Sequence, residues 1–328
     1  MPNMLERGAF LVSIDTEMAW GSVHYPDISQ HYTYQREREF IQDLLALFEK
    51  YEIRATWAVV GHLFLDQCQA ENGRKHSEIL RAPYSWLEGD WFDHDPCTNA
   101  QQDPMWYGGD VVAAIRACRV PQEIGSHAFS HLIVGDPDCT AESFDSELRA
   151  CRRVAEPLGI ELKSFVFPRN QMGHFDVLAS NGFRTYRGPT PPRFGRGPKP
   201  FRLARRFLDE AGVLPAAPVL PQHRHGLWDL PATYFYGSNS RHWRLLPAGV
   251  MAQRVRRDLS RAARQKGLVH LWFHPQNLTP RPDRALKGLE LIFQKVARLR
   301  QQGKLDNPTM GELSAALEHK AGVTAATE

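Results

Sequence analysis

The sequence predicts an α/β fold, a closed or nearly closed barrel of parallel strands. Short β-rich runs alternate with helical stretches of about 10–18 residues, which implies parallel β/α units joined by right-handed crossovers. About seven such strands can be counted, enough to curl into a barrel, and no internal repeat interrupts the series. Gly8–Ile14 is the first strand. Tyr34–Tyr51 follows as a helix with Phe40, Leu44, Leu47 and Phe48 on one face. Ile53–Val60 is a second apolar, β-branched run that stops at Gly61. Asp110 is a plausible N-cap for a helix through Cys118, and Glu123–Ser126 enters a third strand. A longer amphipathic helix runs from about Ala141 to Leu158, closed by Gly159, before a fourth strand at Lys163–Phe167. A short helix over His174–Ser180 leads into a fifth strand, Phe183–Tyr186. Gly188–Pro200 is rich in proline and glycine and reads as a loop. Helices are expected at Phe201–Glu210, Val250–Lys266 and Ala285–Gln302, with strands around Gly226–Leu230 and Leu268–Phe273.

One segment breaks the rhythm. Leu65–Gly109 carries Trp86, Trp91 and Trp106 among many Asp, Pro and Gly residues, with little periodicity. Its tryptophans argue against disorder. It is either a packed cap over one barrel end or a substrate-shaping lid whose tryptophans stack on sugar rings. The whole chain, 1–328, then reads as a single domain bearing this Trp-rich insertion at about 65–109.

Composition excludes several classes. A formal charge of +3 is too small to argue for nucleic-acid binding, and no stretch approaches the roughly 20 apolar residues of a membrane span. The N-terminus has no apolar signal core, and five scattered cysteines without a Cys-x-x-Cys pair read as reduced thiols, so a cytoplasmic protein is expected. The sequence leaves the oligomeric state open. The basic stretch Arg254–Lys266 reads as a solvated helix face, with contact to anionic lipid headgroups or sugar phosphates as the weaker reading.

The chemistry-bearing residues are few. His127 and His131 stand at i and i+4 in Glu123-Ile-Gly-Ser-His127-Ala-Phe-Ser-His131, and Asp15 and Glu17 close the first strand. Two imidazoles and a carboxylate form the facial ligand set of a hydrolytic divalent-metal site, and the second carboxylate remains to act as a base. The intervening residues lack the glutamate of a His-Glu-x-x-His protease.

Five motifs in order resemble the polysaccharide deacetylase (NodB-homology, carbohydrate esterase) family. They are Leu11-Val-Ser-Ile-Asp15-Thr-Glu17, Ile53–Gly61, Glu123–His131, Ser164-Phe-Val-Phe-Pro168-Arg-Asn170, and Val269-His-Leu-Trp-Phe-His274-Pro275. The resemblance spans roughly residues 8–280 and implies a distorted (β/α)7 barrel that hydrolyses N-acyl groups on sugars. It implies His127, His131 and Glu17 as ligands of a divalent metal, zinc, and Asp15 as general base, although the two acids could exchange roles. It further implies a backbone N–H after Pro168 for the oxyanion and His274 as the acid that protonates the departing amine. The sequence departs from the family in places. Ala128 follows the first metal histidine, Val166 fills the slot of the family's arginine, and Arg169 stands where its tyrosine does. Arg169 is therefore expected to orient Asp15, and Asp229 to hold His274 charged. Trp20, Trp91, Pro168 and His270 are expected against the acylamino-sugar substrate, with a core role as the other reading of His270. Two further readings are a metal-free amidase on a small cyclic amide and a non-catalytic carbohydrate-binding protein on the same scaffold.

Overall fold

A computed structural model describes residues 4–22, 34–190, 219–237 and 248–325. Its centre is β1 (Gly8–Thr16), in which all nine residues are buried, as expected of a strand covered on both faces. On one side β1 pairs in parallel with β2 (Thr56–Val59), followed by β3 (Glu123–Ser126), β4 (Ser164–Phe165) and β5 (Thr185–Tyr186). After β5 comes a short hairpin, β6 (Gln222–Arg224) and β7 (Leu227–Asp229), with β7 parallel to β5 and β6 antiparallel to β7. On the other side of β1 lie β9 (Leu268–Phe273) and then β8 (Tyr234–Phe235). The resulting sheet of parallel strands is curled into an incomplete barrel. Its seam, between β7 and β8, is crossed by backbone bonds from Ala232 N to Gly188 O and from Thr233 N to His270 O.

Helices pack outside the sheet: α1 (Tyr34–Tyr51), α2 (Gly109–Ala117), α3 (Ala141–Ala155), α4 (Phe175–Ser180), α5 (Ala248–Gln265) and α6 (Pro282–Gln301). The limits of α3 follow from local signals. Thr140 caps α3 by accepting the Ser143 amide, and Gly159 adopts φ 66° beyond its end, a conformation costly for any residue with a Cβ. Between α1, α6 and the sheet, Phe48 packs edge-on against both Trp57 and Phe293, and Phe293 in turn meets Phe10.

All seven expected strands are present. The expected helix at Phe201–Glu210 and most of the Gly188–Pro200 loop lie outside the described residues. One boundary needs correction: Gly108, not Asp110, is the N-cap of α2. Asp110 sits within the first turn, where it receives the Arg38 guanidinium at 2.7 Å. Four short or late elements were not foreseen: β6, β8, β10 (Leu305–Asp306) and α7 (Met310–Ala325). β10 pairs with the start of β1 (Gly8 with Leu305), while Met310, Leu313 and Leu317 of α7 pack on Leu5, Leu11 and Trp228. Together they seal the N-terminal end of the barrel.

The α1 face that meets the sheet carries one anomaly. Glu37 is fully buried, and neither carboxylate oxygen has a hydrogen-bond partner among the described residues. Burial, reinforced by the nearby Glu17 charge, pushes its carboxyl up to about 8. Between about 4.5 and 8 the folded chain therefore holds a proton that the unfolded chain has released, so stability falls as pH rises through that window. We expect Glu37→Gln to remove this decline, with a gain on the order of a few kcal/mol above pH 8 and little change below pH 4.5. Denaturant midpoints of both proteins across pH 4–9 check it; parallel curves would refute it.

Candidate active site

Register brings the functional side chains to one level. Thr16 pairs with Val59, Val59 with Ser126, Ser126 with Phe165, and Phe165 with Tyr186. The next residue in each strand direction is therefore Glu17, Val60, His127, Val166 and Arg187, all at the carboxyl ends of parallel strands. Ile14 pairs with Phe273, which sets His274 beside Asp15. In parallel barrels this rim is where strand ends and loops build reactive sites.

At the rim three imidazole nitrogens converge on a single carboxylate oxygen. Glu17 Oε1 lies 3.0 Å from His127 Nε2, 3.3 Å from His131 Nε2 and 3.2 Å from His274 Nε2. Gln276 Nε2 donates to the other oxygen, Oε2, at 3.0 Å. Burial raises the Glu17 carboxyl, but His274, His131 and His127 pull it well below the usual carboxylate range. Gly21 is required here, since a Cβ at that position would sit 1.9 Å from Glu17 Oε2.

Asp15 is held differently. Arg187 grips it with both nitrogens, Nη1 to Oδ1 at 2.5 Å and Nη2 to Oδ2 at 2.7 Å, while Nη1 also reaches Ser13 Oγ and Nη2 reaches Asn170 Oδ1. The guanidinium stacks on the Trp272 ring, 4.2 Å from its centroid. Burial pushes Asp15 up, but Arg187 and then His274 outweigh it, leaving the carboxyl below its usual value. His274 Nε2 is 3.5 Å from Asp15 Oδ2. Burial lowers the imidazole, yet Glu17 and Asp15 raise it further, so His274 holds its proton to higher pH than an ordinary histidine.

The histidine loop is pinned from behind. Glu147 of α3 accepts the Phe129 and Ser130 amides at 2.7 and 2.8 Å and the Ser130 hydroxyl at 2.5 Å. Ala128 and His131 both take positive φ, 60° and 63°, and Gly61 lets the loop approach because a Cβ there would lie 2.9 Å from Phe129 Cα. His127 Nδ1 lies 2.7 Å from the Val166 carbonyl. A carbonyl only accepts, so Nδ1 carries the proton, and Nε2 of a neutral ring turns a lone pair toward Glu17. His131 Nε2 is likewise buried without a hydrogen-bond partner among the described residues. Lone pairs and a carboxylate converging on one point attract a cation: the His274 proton is one, and a divalent ion on the His127 and His131 side would be another. Glu17, His127 and His131 thus fit a divalent metal, with their ligand atoms all within 4.8 Å of one another.

Several expected roles fall elsewhere. The guanidinium on Asp15 belongs to Arg187, not Arg169, because Arg187 leaves β5 at rim level while Arg169 turns through φ 56° beyond β4. Asp229 makes no contact with His274 among the described residues. It sits with Tyr186, and burial keeps its carboxyl above the usual value. His270 is fully buried below the rim, Nε2 with Ser13 Oγ at 2.9 Å and Nδ1 with Leu230 O at 3.1 Å, and burial lowers it to about 3. It is a neutral core histidine rather than a pocket wall. Trp20 and Trp91 are only 2% and 4% exposed, with their indole N–H groups engaged by Trp106 O and Ser130 Oγ. Neither presents a free face to a sugar, because the insertion packs over them. Pro168 is buried and opens a single turn, Pro168–Asn170, beside Val166.

Sequence reading missed Arg187, Gln276 and the aromatic pair Phe235 and Trp272, whose rings lie 5.8 and 5.7 Å from His274. For Arg187 the signal was its place immediately after the expected fifth strand. Nothing local marks the others.

No family model matches the chain, and no curated protein matches its sequence. Solved structures do. A protein from Mycobacterium smegmatis assigned as a polysaccharide deacetylase aligns with TM-score 0.60 at 14% identity, covering 98% of this chain and 93% of its own. A protein from Pseudomonas aeruginosa PAO1 with the same assignment gives 0.55 at 11%, covering 95% and 91%. The Puue allantoinase also gives 0.55 at 11%, covering 96% and 91%. The chain therefore has the fold of these proteins, the distorted (β/α)7 barrel of polysaccharide deacetylases.

Glu147→Ala would strand two buried amides and release the histidine loop. A loss of ~2–5 kcal/mol in stability is expected, together with weaker binding of zinc added to the protein. Chemical denaturation and zinc titration check both; unchanged zinc affinity would separate the loop from the site.

Proposed function

We propose that this chain is a metal-dependent hydrolase that removes an N-acyl group, acetyl or formyl, from an amino-sugar substrate. The carrying observation is the convergence of His127, His131 and His274 on Glu17 Oε1 beside an Asp15 clamped by Arg187. A non-catalytic binding module has no need of such a pair of oppositely tuned groups, one carboxylate held ionised and one imidazole held protonated.

Glu17, His127 and His131 would hold the metal, for which zinc is the best match to two imidazoles and a carboxylate. When bound, the metal supplies Lewis acidity toward the amide carbonyl and makes an attacking water more acidic. Asp15, kept ionised by Arg187, accepts the proton of that water. Arg187 also fixes the direction of the carboxylate through both of its oxygens, so the base meets the water in one orientation. His274 donates its proton to the leaving nitrogen, which could not depart as an anion. Phe235 and Trp272 offer apolar faces beside His274, suited to a sugar ring or an acyl methyl group. His270 supports Ser13 beneath Asp15 and takes no proton itself.

We read the whole chain as one domain, with residues 65–109 as a packed cap, and its setting as cytoplasmic. All five cysteines are free thiols, which supports a reducing compartment. Among the described residues no helix is long and apolar enough to cross a membrane. A soluble N-acylated precursor, including a phosphate-bearing one, suits such a setting better than finished wall polymer. The arginines between 193 and 206 would add positive charge suited to such a phosphate, and they lie outside the described residues.

The reading is tested by measuring acetate or formate released from N-acylated amino sugars, free and phosphorylated, before and after chelation. Activity that survives complete metal removal, or that appears only on a small cyclic amide, would overturn it. Two variants separate the acids. Asp15→Asn should lower the rate ~10²–10⁴-fold while zinc stays bound, whereas Glu17→Gln should weaken zinc binding itself. The opposite pattern would exchange their roles. Arg187→Met should move the acid limb of the rate profile to higher pH, since Asp15 loses the partner that depresses it. A profile that stays in place would detach Arg187 from the base.

A further inference from the structure

Residues 65–109 have almost no regular secondary structure. Among the described residues their β-pairing is limited to the bridges Gln67 with Asn99 and Glu71 with Arg74, and their other backbone bonds close turns and loops. Yet the segment is packed: Ile79, Trp91, Phe92, Asp95 and Tyr107 are buried. Side chains supply part of its ties: Lys75 donates to the Phe92 carbonyl and Arg81 to the His76 and Ile79 carbonyls.

Four side chains inside this core repeat the signature of the active site. His62, on the turn after β2, and Cys68, His76 and Asp95 of the insertion bring one ligand atom each within 4.8 Å of the others. They centre on one oxygen, Asp95 Oδ2, which lies 2.9 Å from His76 Nε2, 3.5 Å from His62 Nε2 and 3.8 Å from Cys68 Sγ. A tetrahedral zinc with bonds of about 2.0–2.3 Å sets its ligand atoms about 3.3–3.8 Å apart, so only small shifts separate these atoms from a coordination sphere.

Three further features point the same way. His62 Nδ1 lies 3.1 Å from the Trp106 carbonyl, so Nδ1 carries the proton and Nε2 turns its lone pair into the cluster. That Nε2 is buried, and among the described residues it makes no hydrogen bond, with Asp95 Oδ2 at 3.5 Å. Asp95 is 1% exposed, and no Lys or Arg pairs with its carboxylate among the described residues: Lys75 reaches its backbone carbonyl, while two imidazoles, the Cys68 thiol and the Cys97 amide face the carboxylate. Buried carboxylates are paired with cations or bind metal. Its second oxygen, Oδ1, is committed to the Cys97 amide at 2.8 Å, which orients Oδ2 toward the other three groups. An aromatic wall of Trp20, Phe92, Tyr107 and Phe129 surrounds the two rings.

We propose that His62, Cys68, His76 and Asp95 form a second divalent-metal site, of the zinc class, that ties the insertion to the barrel. Four protein ligands leave no open position, so the site is structural and takes no part in hydrolysis. On binding, Cys68 loses its thiol proton to solvent and ligates as thiolate, while both imidazoles ligate neutral through Nε2. The site also accounts for the burial of Trp20, whose ring packs against His62 at 4.5 Å between centroids, tilted by 44°.

Cobalt distinguishes this site from the active site, because only this one offers sulfur. Protein prepared under reducing conditions and loaded with Co(II) should show thiolate-to-cobalt charge-transfer absorption in the near ultraviolet. The absorption should persist in His127→Ala and in Cys97→Ser and vanish in Cys68→Ser. Zinc content should fall from two per chain to one in either His127→Ala or Cys68→Ser. Absence of the band in wild type, or its survival in Cys68→Ser, would overturn the proposal, as would a Cys68–Cys97 disulfide in the reduced preparation. If Cys68→Ser does not fold, wild type decides alone. Blocking its thiols with a mercurial should eject one zinc per chain, and ejection of none would refute the site. Failure of the hydrolase reading would leave the cobalt band untouched, so the two claims stand apart.

Discussion

Two carboxylates at the end of a fully buried strand organise the rim of this barrel. Asp15 and Glu17 are 2% and 5% exposed, and an uncompensated charge at such depth costs several kcal/mol even after relaxation. The fold compensates each by a different route. Asp15 takes a bidentate guanidinium that is itself stacked on Trp272, and Glu17 takes three imidazoles and an amide. These partners follow three different strands, β3, β5 and β9, so the charge balance holds only when the parallel register is correct. The energetic requirement and the geometric one are therefore the same.

Their partners set the two acids apart chemically. Arg187 is a permanent cation, so Asp15 is held as an ionised carboxylate. The partners of Glu17 are imidazoles, which can exchange a proton for a metal, so Glu17 sits where a cation can be accommodated without unpairing anything else. Adjacent positions on one strand face thus acquire distinct chemistry from what their neighbours can give up.

The insertion follows the same rule on a smaller scale. His62, Cys68 and His76 converge on one carboxylate oxygen of Asp95, and all but His62 lie in a segment with no sheet or helix of its own. Trp20 lies between the two clusters, two residues beyond Met18 on the turn that follows Glu17 and against the ring of His62. The cap is consequently packed against the turn that follows Glu17.

Periodicity and motif order made the barrel, its seven main strands, the histidine pair and both acids legible before any coordinates, because strand burial and i, i+4 spacing are local properties of the chain. Elements of two or three residues such as β8 and β10 leave no periodic signal, and α7 lies on a weakly amphipathic sequence whose apolar residues are selected only by the open end of the barrel. Partner choice was likewise invisible. Arg169 and Arg187 are equally plausible as isolated side chains; register decides between them by carrying β5 to the level of β1, while Arg169 turns away beyond β4. His270, Trp20 and Trp91 have residue types suited to a sugar site, but the layers packed over them leave no face open. The sequence by itself determined which chemical groups are present and which strand carries them. Only the tertiary structure decided which groups meet, because hydrogen bonds and charges act over a few ångströms between residues more than a hundred positions apart.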